Sequence, residues 1–420
     1  MADEGQPTIG VRRRVAQVRG RLAERTRHLG RYAARLGDRV PAPWPFVLGL
    51  FLGAKLVLTF IGVLALQAYD GVPGAPPPDE ALMRAQQHGI SSHPWISLWF
   101  VWDSFIYLRL SQLPLTEPWR DFAFPLLYSF LARPVAVVLG GNTPMALLLI
   151  SNVAFLFQLY YGHRLGEKLL GDHPSARRFT WYLVLMPAAF LFQAALTESL
   201  LLCLVLAAFY YAERRRWLIV GIVGFFLALS RSVGMFVVIP LALLLLQQHR
   251  YRLGPRALWA VVKVGWPLVL VPGGWLAFMA FCKWQSGDWF AYKHAQEAGW
   301  GIRVQNPLTV LFNGLTGADA RDVVRAWFAV AVLLIVVTGA RRAELPYLVY
   351  ALIMVLVPLS IGSPVYRSLL RYLLAAFPVC IVLARWAGDR AVDTYLTAIL
   401  ALLQGALFVI WLTYWTHFII

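Results

Sequence analysis

Apolar runs long enough to cross a bilayer recur along the chain from about residue 44 to its end. A helix rises about 1.5 Å per residue, so about 20 apolar residues span the roughly 30 Å hydrocarbon layer. Charged residues make up only 14% of the 420, against roughly a quarter in soluble domains, and they gather between the runs. Backbone groups find no partner in lipid, so such runs fold as helices. The sequence therefore predicts an all-α polytopic membrane protein, in preference to a soluble helical core.

A basic arm, residues 1–43, precedes the first apolar run and is dominated by arginine from Arg12 to Arg39. Its apolar residues recur at spacings of three, four and seven, which is typical of a helix lying on a membrane surface. A solvated arm without fixed structure is the alternative. Either form predicts a cytoplasmic N-terminus. Arginine-rich ends facing anionic lipid also account for the net charge of +17, with no need for a nucleic-acid partner.

The topology depends on the segment Phe122–Gly140, which is apolar enough to span but contains Pro125, Arg133 and Pro134. If it spans, four later arginine clusters lie outside the cell, which inverts the positive-inside rule. If it is re-entrant or interfacial, all four clusters become cytoplasmic. The second reading is preferred here.

With that choice, residues 44–420 form a transmembrane domain with about 11 spans. Residues 67–142 become a first extracytoplasmic loop with juxtamembrane helices, and residues 283–322 become a second large one. This topology brings a set of polar residues to the outer face. They are Asp103, Asp121, Glu198, Arg231, Asp288, His294, Glu297, Arg367 and Arg371.

Asp103 is the candidate catalytic base, because it stands among aromatic residues that partly remove it from water. On a helix, Trp99, Asp103 and Tyr107 share one face at four-residue steps. The alternative is an aspartate that only caps or solvates a juxtamembrane helix.

Three outer-face arginines are candidates for binding a phosphate. Arg231 interrupts an apolar run, and Arg367 and Arg371 lie one helical turn apart. Guanidinium groups on a shared face suit a phosphate, although arginines at span ends also extend to lipid headgroups. Glu198 stands at a turn between two spans, where it positions a substrate hydroxyl, pairs with Arg231 or caps the turn.

No signature of a soluble enzyme competes with this interpretation. The chain has no Gly-rich phosphate loop, no His-Glu-x-x-His and no paired cysteines. The first outer loop has no Asp-x-Asp, so no metal cofactor is expected there. His294 and Glu297, three residues apart in the second loop, are candidates for lining an acceptor site.

Five short motifs, in order, resemble the mannosyltransferase family that adds the second mannose in glycosylphosphatidylinositol assembly, with its bacterial relatives. The resemblance runs from about Trp44 to the C-terminus. The motifs are Trp102-Asp103, Phe122-Ala123-Phe124-Pro125, Thr197-Glu198-Ser199 after Pro187, Arg231-Ser232-x-Gly234, and Arg371-Tyr372 before Phe377-Pro378.

The resemblance implies a GT-C membrane glycosyltransferase fold in the plasma membrane. It implies transfer of a sugar, usually mannose, from a polyprenyl-phosphate donor to a lipid or glycan acceptor, with inversion and on the outer side. Asp103 carries over as the base, and the donor phosphate is assigned to Arg371, Arg367 and Arg231. Positioning of substrate is assigned to Glu198, Trp102, Tyr107, Tyr372 and His294.

Two departures from the family pattern leave the acceptor open: the glycine and tyrosine expected after Leu110 are absent, and alanine precedes Phe124-Pro125. Two other functions remain as alternatives. A transporter or flippase for a lipid-linked phosphate is one, although no inverted repeat is found. A structural membrane subunit is the other.

Overall fold

A computed structural model describes most of the chain between residues 43 and 413. The described ranges are 43–70, 78–112, 114–115, 121–252, 254–341, 343–362 and 368–413. The chain divides into two compact units, Met1–Gly49 and Leu50–Ile420. The basic arm up to residue 42 and Arg367 lie outside the described residues, so the predictions made for them are not tested.

Every regular element in these ranges is helical. The first nine helices are α1 Trp44–Asp70, α2 Pro78–Ile90, α3 Pro94–Ser97, α4 Asp103–Gln112, α5 Leu127–Val138, α6 Thr143–Leu170, α7 His173–Leu185, α8 Glu198–Glu213 and α9 Trp217–Ser230. The remaining α-helices are α10 Val238–Gln248, α11 Pro255–Gly265, α12 Leu270–Ser286, α13 Ala291–Trp300, α14 Pro307–Thr316, α15 Ala320–Gly339, α16 Leu345–Ser360, α17 Leu369–Leu373, α18 Pro378–Trp386 and α19 Arg390–Leu412. Short 3₁₀ turns cover Ala189–Gln193, Ser232–Val237 and Trp266–Val269.

Within the described ranges, five helical segments are long and apolar enough to cross a membrane: α1, α6, the continuous pair α11–α12, α15 and α19. Four shorter apolar segments accompany them, and these include α5, α9 and α16. The protein is therefore a multi-pass membrane protein. The number of about 11 spans remains a prediction.

Helix α5 lies within Phe122–Gly140, the segment on which the predicted topology depends. It has 12 residues, which is about 18 Å of helix and well short of the hydrocarbon thickness. The residues before it, Phe122, Ala123 and Leu126, are buried in turns. This geometry supports the prediction that Phe122–Gly140 is not a full span.

Two apolar runs of the sequence are interrupted as helices, each near a proline. The run from Phe179 to Gln193 ends as an α-helix at Leu185, because Pro187 holds Met186 in an extended conformation (φ −50°, ψ 139°). The run from Tyr372 to Trp386 is broken before Pro378, which begins α18. Both breaks create short buried segments.

The turns before α5 pack against α12 and α13. Phe122, Ala123 and Leu126 share a buried cluster with Phe278 and Cys282 of α12, and with residues of α4 and α13. The side-chain amide of Gln296 donates to the carbonyl of Ala123. The Phe-rich motif is thereby fixed against α12 and α13.

Helices α9 and α12 approach closely through glycines, as is common in membrane proteins. A Cβ built on Gly274 would lie 2.2 Å from the Phe225 carbonyl oxygen, and one on Gly224 would lie 2.4 Å from the side chain of Val271. The neighbouring Gly273 has nothing within 4 Å of the same position.

Gly274→Ala is expected to destabilise the protein by about 1–3 kcal/mol, because the clash with a backbone oxygen forces the two helices apart. Thermal unfolding in detergent measures this. The adjacent Gly273→Ala is the control and is expected to unfold no earlier than the wild type. Equal behaviour of the two variants would contradict the close packing of α9 against α12.

Candidate active site

Two carboxylates and two guanidinium groups meet in one buried cluster, although they come from four distant parts of the sequence. Arg371 donates from Nη1 to Asp103 and from Nε to Glu198 Oε1, the latter at 2.5 Å. Arg231 donates from Nη1 to the same Glu198 oxygen, also at 2.5 Å. The charges balance, which lowers the cost of removing four ions from water.

Asp103 begins α4 directly after a backbone outlier. Trp102 has φ +47°, a conformation that is unusual for a bulky residue and that often marks functional sites. Ser104 stabilises the turn by accepting from the Val101 N–H at 3.2 Å. Asp103 thus lies at a helix N-terminus, where the helix dipole favours a negative charge.

Glu198 begins α8 after a buried stretch without α-helix, residues 186–197. Such backbone inside a membrane protein needs partners for its carbonyl groups. Side chains of neighbouring helices supply them. Gln404 donates to the carbonyls of Val184 and Met186, Asn152 and Lys55 donate to that of Gln193, and Ser151 donates to that of Leu196.

Lys55 ties this stretch to the one that carries Asp103. Its ammonium lies 3.9 Å from the ring centroid of Trp99 and 3.4 Å from the Gln193 carbonyl oxygen. The Ala195 N–H also donates to the Trp99 carbonyl at 2.9 Å. The segments before Asp103 and before Glu198 are therefore joined before their carboxylates meet Arg371.

The arginines lie at the two helix breaks. Arg231 has extended backbone between α9 and the following 3₁₀ turn. Gly234 makes that turn possible, since a Cβ there would lie 2.3 Å from the Leu227 carbonyl oxygen. The Arg231 guanidinium also stacks over the Tyr372 ring at 4.7 Å. Both guanidinium groups are turned into the protein, so the alternative of arginines extending to lipid headgroups is wrong for Arg231 and Arg371.

Tyrosines close the sides of the cluster. The Tyr107 hydroxyl lies 3.4 Å from Thr197 Oγ1, and Tyr292 of α13 is hydrogen-bonded to Ser232. Burial raises the pKa of both tyrosines, and the Asp103 carboxylate raises that of Tyr107 further. Both phenols are neutral hydrogen-bond donors at physiological pH.

Hydrogen-bonding capacity is left over at the centre. Arg371 Nη2 and Glu198 Oε2 are buried and have no hydrogen-bond partner among the described residues. The Asp103 side chain is 19% exposed, whereas those of Arg371 and Glu198 are each 2% exposed. Asp103 is therefore the member of the cluster that a molecule entering from outside reaches first.

Helix α17, which carries Arg371, also borders an apolar cavity of about 260 Å³. Leu370 and Leu373 of this helix line the cavity together with residues of α15, α18 and α19, and Arg371 itself does not line it. Every lining side chain is apolar. The cavity therefore suits a hydrocarbon chain.

The structure brings together most of the residues that the sequence singled out. Arg371 joins Asp103 to Glu198, and Glu198 also binds Arg231. Tyr107 and Tyr372 border this cluster. Glu198 is paired with Arg231, which was one of the three roles predicted for it. Trp102 supplies the strained turn. His294 is instead exposed and hydrogen-bonded to Asp288 at 2.6 Å.

Sequence reasoning missed the side chains that hold residues 186–197. A signal was present for two of them, because Lys55 and Gln404 are isolated polar residues within long apolar runs, where polar side chains usually have a function. Tyr292 gave no such signal, since its contact with the site depends on how α13 packs against the rest of the chain.

No protein-family model matches the chain, and no curated protein matches its sequence. Its fold is similar to that of ArnT from Cupriavidus metallidurans, solved bound to undecaprenyl phosphate, with a TM-score of 0.51 and 12% identity over 84% of this chain. The chain spans 62% of the ArnT chain. The archaeal oligosaccharyltransferase AglB from Archaeoglobus fulgidus, solved with an inhibitory peptide and a dolichol-phosphate, gives a TM-score of 0.39 and 12% identity over 88% of this chain and 55% of that one.

At this level of identity the likeness to ArnT concerns the fold alone, and the likeness to AglB carries no argument. The predicted all-helical membrane fold of the GT-C type is confirmed.

Proposed function

We propose that the protein is a membrane glycosyltransferase that moves a sugar from a polyprenyl-phosphate donor to a lipid or glycolipid acceptor. The observation that carries the proposal is the buried contact of the Arg371 guanidinium with Asp103 and Glu198, on a short helix whose Leu370 and Leu373 line the apolar cavity. A polyprenyl-phosphate sugar presents a hydrocarbon chain, a phosphate and an anomeric carbon in that order. The apolar cavity suits the hydrocarbon chain, the arginines suit the phosphate, and the carboxylate suits a role beside the anomeric carbon. The motif resemblance favours mannose as the sugar.

The donor phosphate binds to Arg371 and Arg231. Arg371 Nη2 has no partner among the described residues, so one N–H edge of its guanidinium is available without breaking a contact. A phosphate also competes with the carboxylates for the remaining N–H groups. Asp103 yields first because it is the most exposed partner of Arg371, while Glu198 continues to hold both arginines.

This exchange links donor binding to catalysis. Before the donor binds, an Asp103 carboxylate oxygen accepts a hydrogen bond from Arg371. Once the phosphate replaces Asp103 as the acceptor for Arg371, that oxygen is free to accept a proton. The acceptor hydroxyl oxygen then bonds to the anomeric carbon from the face opposite the phosphate, and the bond from that carbon to the phosphate oxygen breaks. Asp103 takes the hydroxyl proton, and the configuration at the anomeric carbon inverts.

The leaving group departs as a polyprenyl phosphate monoester with an additional negative charge. The two arginines are already oriented by Glu198, so they stabilise that charge with little reorganisation. The proposal assigns this role to guanidinium groups and not to a metal ion. The polyprenyl chain occupies the apolar cavity, where burial of its surface contributes about 25 cal/mol per Å².

The reaction takes place at the extracytoplasmic face of the cell membrane, with the N-terminus in the cytoplasm. Helix α8 supports this orientation. It begins with Glu198 in the cluster and ends at Glu213, directly before Arg214, Arg215 and Arg216. Three consecutive arginines at the far end of the helix favour a cytoplasmic position for that end.

The test is sugar transfer in membranes that contain the protein. With polyprenyl-phosphate mannose labelled in the sugar, the label is expected to appear in a lipid or glycan fraction. Nucleoside-diphosphate mannose is not expected to serve as a direct donor. The same donor carrying glucose or a pentose is the comparison that tests the choice of mannose. Direct use of the nucleotide sugar, or no transfer from any polyprenyl-phosphate sugar, would contradict the proposal.

A further inference from the structure

A second cluster of chemically active side chains lies far from the Asp103 cluster. His163 and Glu167 occupy one face of α6 at a four-residue spacing, and His173 begins α7 directly after the turn. On the same helix, Ser151 reaches the Leu196 carbonyl beside Glu198. Since 12 residues of helix extend about 18 Å, the three residues lie toward the opposite end of α6 from the candidate active site.

We infer that His163, Glu167 and His173 form a binding site for a divalent transition-metal ion of the Zn²⁺ class. Imidazole nitrogens and a carboxylate oxygen are the ligands such ions prefer, and two histidines with one glutamate are a known zinc ligand set. Glu167 Oε1 lies 3.6 Å from His163 Nε2 and 3.3 Å from His173 Nδ1. Metal–ligand bonds of about 2.0–2.1 Å in a tetrahedron leave ligand atoms roughly 3.4 Å apart.

The hydrogen bonds of Thr180 identify which nitrogen of His163 is available to a metal. The single hydroxyl proton of Thr180 is donated to the Ala176 carbonyl at 2.8 Å. Its oxygen therefore accepts from His163 Nδ1–H, at 3.4 Å. In that tautomer His163 Nε2 directs a lone pair toward the Glu167 carboxylate, which is repulsive unless a metal ion or a proton lies between the two groups. A histidine that binds a metal through one ring nitrogen typically donates the N–H of the other to a protein group, as Nδ1–H of His163 does to Thr180.

Glu167 is oriented in the same way. Its other oxygen, Oε2, accepts from Arg164 Nη1 at 2.6 Å, which leaves Oε1 facing the two histidines. Arg178, nearby on α7, donates to Ser175 Oγ at 2.8 Å. His173 and Glu167 are partly exposed, so an ion can enter from the surface and keep one position for water. The bound ion would join α6 to α7, whose C-terminal end leads into the stretch before Glu198.

The experiment uses the full-length protein in detergent, treated with a chelator and then titrated with Zn²⁺ by calorimetry. One equivalent is expected to bind, and thermal unfolding should move to higher temperature as Zn²⁺ is added, because the ion binds the folded chain. His173→Ala and Glu167→Gln are expected to weaken binding by at least about 100-fold. Thr180→Val should weaken it by about 10-fold through loss of the tautomer.

His88→Ala, which removes an exposed histidine from α2, is the matched control and should bind like the wild type. His173 and Glu167 are partly exposed, so their variants are expected to fold, and gel filtration verifies this. Absence of one-equivalent binding in the wild type would overturn the inference and leave the cluster as an imidazolium–carboxylate ion pair. Equally tight binding by His173→Ala and Glu167→Gln would overturn it as well. Neither result bears on sugar transfer.

Discussion

Asp103→Asn is expected to slow sugar transfer by about 10²–10⁴-fold, the usual range for loss of a general base. The amide oxygen still accepts a hydrogen bond from Arg371, so the cluster keeps its geometry. The amide cannot take the proton of the acceptor hydroxyl. Donor affinity should not fall, because a neutral amide competes with the phosphate for Arg371 less than the carboxylate does. The loss should therefore fall on the rate constant of the chemical step.

Single-turnover rates at saturating donor, with donor binding measured separately, test this expectation. The control is Asp319→Asn, which makes the same chemical change at an exposed carboxylate that accepts from the Arg321 N–H at the start of α15. Asparagine caps a helix as well as aspartate does, so this variant should transfer sugar at the wild-type rate. If Asp103→Asn transfers sugar at a single-turnover rate within a few-fold of the wild-type rate, Asp103 is not the general base.

Arg371→Lys is expected to lower kcat/KM by at least about 100-fold although the positive charge is kept. Arg371 directs Nη1 to Asp103 and Nε to Glu198 at the same time. One ammonium group cannot reproduce that planar arrangement. Hydrogen bonds to charged groups contribute about 1.5–3 kcal/mol each, so the loss of one or two of them predicts a decrease of this order.

The same variant should also unfold at a lower temperature, because Glu198 is buried and loses one of its two guanidinium partners. Arg321→Lys is the control. Arg321 also binds a carboxylate through two nitrogens, to Asp319 at 3.0 and 2.7 Å, but on an exposed surface. That change should be nearly neutral. A fully active Arg371→Lys protein would mean that the geometry of the guanidinium does not matter to the reaction.

The sequence was sufficient to assign Asp103, Glu198, Arg231 and Arg371 to one face, but only within a set of nine polar residues. Several of the nine stand at a span end, and the positive-inside rule assigns those ends to one side. The physical reason is general. A charge at a span end costs free energy unless it is paired or used, so its position carries information that survives without a structure.

The way those residues are held could not be predicted. Residues 186–197 are apolar enough to read as the end of one span and the start of the next, and only Pro187 indicates the break. Which side chains satisfy the freed carbonyls depends on tertiary neighbours such as Gln404, more than 200 positions away. The direct contact of Asp103 with Arg371 likewise depends on helix packing.

The cluster of His163, Glu167 and His173 was also not anticipated from the sequence. Its residues lie within and just after a single apolar run, where a histidine and a glutamate read as the polar end of a span. Only the fold of α7 back against α6 brings His173 to the other two. The prediction that no metal takes part in sugar transfer concerns the Asp103 cluster and is separate from this site.

The central claim is that the protein breaks the bond between the anomeric carbon and the donor phosphate. Purified protein in liposomes, supplied with polyprenyl-phosphate mannose and an acceptor glycolipid extract, tests it by mass spectrometry of the lipid fraction. The expected result is one polyprenyl monophosphate released for each sugar transferred by the wild type, with the release lost in Asp103→Asn. Movement of the intact lipid-linked sugar across the bilayer, with no monophosphate released, would contradict the claim and identify a flippase.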